Sequence, residues 1–147
     1  MNQTIPLYFS LFNEIGIISQ LGRALLDARL PEGIIGSQFS VLNHLIRVKD
    51  GRTPLELANS FQVPKTTMTH TISGLQKHKL ILIKPHPEDG RSKQVWLTEK
   101  GRDLRNNTIA SLSPQLVELL SPIPHDQIES MVSNLTKIRI LLDNNRD

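Results

Sequence analysis

The chain has 147 residues, 38% of them hydrophobic and 21% charged, enough for one domain with a real core and too few for two ordinary ones. It has no cysteine, which excludes disulfides, thiolate zinc sites, iron–sulfur clusters and thiol catalysis; no run approaches the ~20 apolar residues of a membrane span. The formal net charge of +3 is concentrated: residues 64–105 carry nine Lys or Arg against four acids, while the flanking segments are neutral or acidic.

Met1 to Ser10 has neither a basic start nor a signal-type apolar core, so a cytoplasmic location is expected. Leu11, Phe12, Ile15, Ile18, Gly22, Leu25 and Leu26 recur at spacings of three and four, predicting an amphipathic helix from about Leu7 to Leu30 that Pro31 and Gly33 end. A second helix fits Ser37 to Lys49, with Ser37 as its cap and Phe39, Leu42, Leu45 and Ile46 on one side. Asp50-Gly51 turns the chain. Thr53-Pro54-Leu55-Glu56 then combines a threonine cap, proline at the first helical position and a glutamate that can close a capping box. This short helix is expected to bury Leu55, Leu57, Ala58 and Phe61.

Pro64 restarts a helix to about Lys79 whose two faces separate. Met68, Ile72, Leu75 and the stem of Lys79 form one stripe; Thr66, His70, Ser73 and Lys77 lie opposite at about 100° per residue. Ile81 to Lys84 and Gln94 to Leu97 alternate as two strands joined by a long tip, HPEDGRS. A helix from about Thr98 to Ser121 follows, broken by Pro122 and Pro124, and a final one carries Ile128, Met131, Leu135, Ile138 and Leu142.

Two short helices around a tight turn, followed by a hairpin, is the order of a winged helix-turn-helix, in which the second helix enters the major groove. The polar stripe suits that role, because its short side chains can reach base edges or phosphates; the solvent face of any amphipathic helix looks similar. The hairpin tip suits the minor groove, whose negative potential favours arginine. Asp89 could accept from the Arg91 guanidinium or from tip N–H groups and so orient the arginine, with Lys84 and Lys93 meeting phosphates. Gly90 would let the backbone approach closely. Taken alone, Asp-Gly is also a common turn.

The stretch from Leu75 to Gly101, above all Asp89-x-Arg91 and Val95-x-Leu97-Thr98-x-Lys100-Gly101, resembles the recognition-helix end, wing and following helix start of MarR-family transcriptional regulators. The resemblance implies a mainly α fold: a winged helix-turn-helix with a small β-hairpin wing and an N- and C-terminal helical dimerisation region. It implies one domain over 1–147, with 36–105 as the DNA-binding lobe and 1–35 and 106–147 as the dimerisation helices. The partners implied are double-stranded DNA, read as a palindrome by a homodimer, and a small aromatic or phenolic effector held between the dimer helices and the lobe. Residues Lys65 to Lys77, including Thr66, Thr67, Thr69, His70 and Ser73, would face the major groove, Arg91 would enter the minor groove, and Lys93 would hold phosphate. The protein would be a ligand-responsive repressor.

Two positions depart from the family pattern. Lys79 stands where glycine usually follows the recognition helix, so it either accepts a left-handed conformation or the turn differs; Gly90 stands where a second arginine is common. Phe12, His44 and Arg47 are candidates for the effector cleft, with core packing the better reading of Phe12. The five histidines show no zinc-type pairing, there is no nucleophile elbow and no phosphate-binding glycine loop, so no metal, cofactor or enzymatic activity is expected. The alternative from another class is a winged-helix protein–protein adaptor that does not bind DNA.

Overall fold

A computed structural model describes residues 3–146; residues 1, 2 and 147, the extremes of the expected terminal ranges, lie outside the described residues. The chain forms two compact units, Met1–Leu112 and Ser113–Asp147. The first contains α1 (Thr4–Asp27), α2 (Gly36–Arg47), α3 (Pro54–Phe61), α4 (Lys65–Lys77), β1 (Ile81–Pro85), β2 (Lys93–Leu97) and the start of α5 (Glu99–Leu120). The second contains the end of α5 and α6 (His125–Asn144).

The core of the first unit is built from the stripes that the spacing predicts. Val41, Leu42 and Leu45 of α2, Leu57 and Ala58 of α3, and Met68, Ile72 and Leu75 of α4 meet Leu80, Ile81 and Val95, with Leu104 of α5 packed against them. The two strands pair antiparallel from Ile81↔Leu97 to Pro85↔Lys93, one residue longer at the tip than their alternation predicts. A third piece of extended chain joins them where the Val95 N–H donates to the Arg52 carbonyl at 2.7 Å. Asp50 secures that junction: its Oδ1 accepts from the Leu97 and Gly51 N–H groups, both at 2.9 Å.

Four expectations are corrected. Ser37 does not cap α2: the helix starts at Gly36 with Ile35 as N-cap, and the Gln38 side chain satisfies the Ile35 N–H at 3.0 Å. Leu55 is 55% exposed, because at about 100° per residue it lies roughly 200° round the helix from Leu57. Lys79 is not on the buried stripe of α4; it lies beyond the helix in the left-handed region, at φ 60°. Phe12 is 48% exposed: within α1 the half-buried residues are Ile15, Leu25 and Leu26, and Phe12 stands outside that set.

In the second unit, α6 is held on its surface by the ion pairs Arg139–Asp143 at 3.4 Å and Arg146–Asp143 at 3.2 Å. Its apolar residues Met131, Leu135, Leu141 and Leu142 are exposed.

Candidate nucleic-acid interface

The helix-turn-helix begins at a closed capping box. The Thr53 hydroxyl accepts from the Glu56 N–H at 3.1 Å, and the Glu56 carboxylate accepts from the Thr53 N–H at 3.0 Å. That backbone donor is the main reason the Glu56 carboxyl lies below its ordinary pKa; burial opposes the shift, and the Thr53 hydroxyl, Arg52 and Lys49 add to it. Pro54 occupies the first turn, where its missing N–H leaves nothing unsatisfied. At the other end of α3, Gln62 turns left-handed at φ 53° and the Val63 N–H reaches back to the Ala58 carbonyl at 3.1 Å. Pro64, extended at ψ 149°, then starts α4 as its N-cap.

This turn aims α4 outward. Met68, Thr71, Ile72 and Leu75 are buried, while Lys65, Thr66, Thr67, Thr69, His70, Ser73 and Lys77 are all exposed. Thr69 Oγ1 donates back to the Lys65 carbonyl at 2.9 Å, which leaves its lone pairs and methyl outward.

The wing tip is an Asx turn closed by the hairpin. The His86 N–H donates to the Ser92 carbonyl and the Ser92 N–H to the Asp89 carbonyl, both at 3.0 Å. Asp89 Oδ1 accepts from the Arg91 N–H at 3.1 Å and lies 3.5 Å from its Nε. Both contacts anticipated for Asp89 are therefore present. At Gly90, φ is not positive and no atom of the chain lies within 4 Å of where a Cβ would stand, so the fold itself does not call for glycine there.

The fold gathers part of the predicted set around one open groove of about 400 Å³, lined by Thr53, Pro54, Leu55, Lys65, Asp89, Arg91, Ser92 and Lys93. It joins the first turns of α3 and α4 to the wing, placing three cations and the exposed Leu55 on one concave surface. His70, Ser73 and Lys77 lie farther along α4, outside the groove. Thr53, Pro54 and Leu55 are additions that linear spacing could not reveal, since their approach to the wing depends on how β2 docks on Arg52; Ser92 joins them as the wing residue between Arg91 and Lys93.

The effector candidates are spread over α1 and α2, with His44 and Arg47 one turn apart on α2. His44 is half-buried with its ring 5.4 Å from that of Phe61, Arg47 is exposed in the last turn of α2, and Phe12 is on the open face of α1. A cleft of about 240 Å³ lies instead between α1, the start of α2 and α4, lined by Arg23, Ser37, Ser40, Phe61, Thr67 and Thr71 among others. Among the described residues there is no helix long and apolar enough to cross a membrane and no group of three or more acidic, histidine or cysteine side chains that could hold a metal ion.

Residues 32–92, from the approach to α2 through the wing tip, match the family model for the MarR family. The chain is 29% identical over 100 residues to the HTH-type transcriptional repressor YetL of Bacillus subtilis, an alignment that covers 67% of this chain and 58% of YetL. Its fold is similar to the crystal structure of wild-type apo MarR from E. coli, with a TM-score of 0.74, 25% identity and coverage of 87% of this chain and 96% of that one. BldR from Sulfolobus solfataricus superposes with a TM-score of 0.78 over 93% of this chain and 97% of its own, at 24% identity. The matched relatives are transcriptional regulators, and with its helix-turn-helix, wing and motif residues in the places described, this chain is similar to the MarR family of winged-helix transcriptional regulators.

Proposed function

We propose that this protein is a homodimeric, ligand-responsive transcriptional repressor that reads a palindromic operator in double-stranded DNA. The observation that carries this reading is the cationic groove: Lys65, Arg91 and Lys93 converge beside the polar face of α4, giving phosphate contacts next to a row of base-reading groups. Residues 36–105 serve as the DNA-binding lobe, with Lys65 to Lys77 in the major groove and Arg91 in the minor groove. Residues 1–35 and 106–147 form the dimerisation region. The exposed Ile5, Tyr8, Phe9 and Phe12 of α1, and separately Leu135, Leu141 and Leu142 of α6, supply apolar surface for a second copy to cover. A two-fold dimer sets its recognition helices about 34 Å apart, one turn of duplex. The cleft bearing Arg23 and Phe61 touches the recognition helix through Thr67 and Thr71, which suits a small aromatic effector that alters DNA affinity. A soluble cytoplasmic location follows from this role.

Selection of bound duplexes from a random pool tests the reading. A palindromic consensus is expected, with Arg91→Ala losing affinity at fixed salt while the dimer stays folded, and Lys65→Ala lowering the slope of log K against log salt by about one unit. Binding that stays flat from low to moderate salt, or an unselective pool, would sink it in favour of a protein-binding adaptor.

A further inference from the structure

The recognition helix ends in a way that reaches beyond its own residues. The Leu80 N–H donates to the Leu75 carbonyl and the Lys79 N–H to the Gln76 carbonyl, both at 3.0 Å, the double bond of a Schellman turn, with Lys79 as its left-handed residue. A lysine there is less favourable than glycine, so the turn needs support from elsewhere. It comes from the first turn of α5 and the residue before it. Three consecutive carbonyls leaving α4 are each taken by a donor from Thr98 to Lys100. Lys100 Nζ donates to the His78 carbonyl at 3.0 Å, Thr98 Oγ1 to the Lys79 carbonyl at 2.9 Å, and the Thr98 N–H to the Leu80 carbonyl at 3.1 Å. The same Thr98 hydroxyl accepts from the Gly101 N–H at 3.0 Å, capping α5. Gly101 lets the two segments meet, since a Cβ there would collide with the Leu80 carbonyl oxygen.

We propose that Thr98 and Lys100 are positioning residues for DNA reading. They fix the direction in which α4 leaves the core, and hence the angle of its Thr66, His70, Ser73 and Lys77 face, without touching DNA themselves. The inference rests on the DNA-binding reading above. It makes the ammonium of Lys100 a clamp on a helix C-terminus, where a cation also meets the negative end of the helix dipole, and not a phosphate contact, although Lys100 belongs to the basic segment.

The test compares Lys100→Met and Thr98→Val with the conservative Lys100→Arg and Thr98→Ser, using a duplex selected by the wild-type protein and a scrambled duplex across a salt series. The expected result for Lys100→Met is a fall of at least about fivefold in discrimination between the two duplexes, with the salt slope unchanged and Lys100→Arg restoring most of the loss. Thr98→Val should behave likewise and also speed amide exchange at residues 76–80 of the free protein, while Thr98→Ser should do neither. A slope that drops by about one unit in Lys100→Met with discrimination intact would overturn the proposal and make Lys100 a phosphate contact. Unchanged discrimination and unchanged exchange would overturn it as well. A wild-type protein that selects no duplex would count against DNA binding itself, and the exchange measurement would still decide whether the clamp holds α4.

Discussion

Asp89 holds Arg91 twice at the wing tip, its Oδ1 accepting from the Arg91 N–H at 3.1 Å and lying 3.5 Å from Nε. The Arg91 side chain is nonetheless 96% exposed. The carboxylate therefore aims a cation that remains open to solvent, and an exposed pair of this kind adds little to folding. Asp89→Ala should change stability by no more than about 0.5 kcal/mol. Fluorescence anisotropy at fixed salt should show weaker binding to the selected duplex, by about threefold to tenfold, even though the net charge rises. Asp89→Asn, which can still accept from the Arg91 N–H, should recover much of it. An alanine variant that binds the selected duplex as tightly as the parent would remove the orienting role.

Gly90 is the converse case, a residue beside Arg91 that the fold does not require. With ordinary backbone angles and open space around its Cβ position, Gly90→Arg should fold normally, its unfolding midpoint moving by less than about 0.5 kcal/mol equivalent. Each cation that reaches phosphate releases counterions, so the salt slope should steepen by up to about one unit and affinity at low salt should rise. A variant with parental slope would show that the tip stands away from the backbone at this position.

Gly51 is irreplaceable for two separable reasons. Its φ is 72°, and a Cβ would come within 2.6 Å of two Trp96 ring carbons. Gly51→Ala should therefore destabilise by about 2–4 kcal/mol in urea unfolding, the sum of left-handed strain and overpacking. Pairing it with Trp96→Leu removes the collision and leaves the strain, so the double variant should lose less than the two single effects added together. Strict additivity would mean that the ring is not what the glycine accommodates.

Much of this was readable from residue pattern because the periods were clean. Met68, Ile72 and Leu75 mark one face of α4, and the alternation of Ile81, Ile83, Val95 and Leu97 predicts the hairpin, while its register came from the structure. Thr53-Pro54-x-Glu56 announces α3 by chemistry alone. What escaped depends on contacts distant in sequence. Leu55 is apolar yet faces a groove whose other wall is the wing. Phe12 sits on a helix face that its own unit does not cover. For Lys79 the left-handed turn was one of two readings open in the sequence; what escaped was its support from Thr98 and Lys100, 19 to 22 positions later in the bonds they make.

The capping box of α3 also ties stability to pH. Glu56 has its pKa lowered in the folded protein, first by the Thr53 N–H, so the native state favours the ionised carboxylate more than the unfolded chain does. Stability from this group is fully present above the unfolded value of about 4.3 and is lost as pH falls through the lower folded value. The side chain is 46% exposed, and solvent screening keeps the charge-dependent part to a few tenths of a kcal/mol, roughly 0.3–0.5. Glu56→Gln keeps an acceptor for the Thr53 N–H and removes only that part. Its urea midpoint should fall slightly below the parent's at pH 7 and converge with it in acid, as pH falls through the lowered folded value. Thr53→Ala, which removes the hydroxyl that caps the helix, should cost about 1 kcal/mol at neutral pH, and part of that loss should persist in acid because a hydroxyl does not titrate. A Glu56→Gln gap that widened as pH fell would contradict the sign of the shift and with it the assignment of Glu56 as the charged half of the cap.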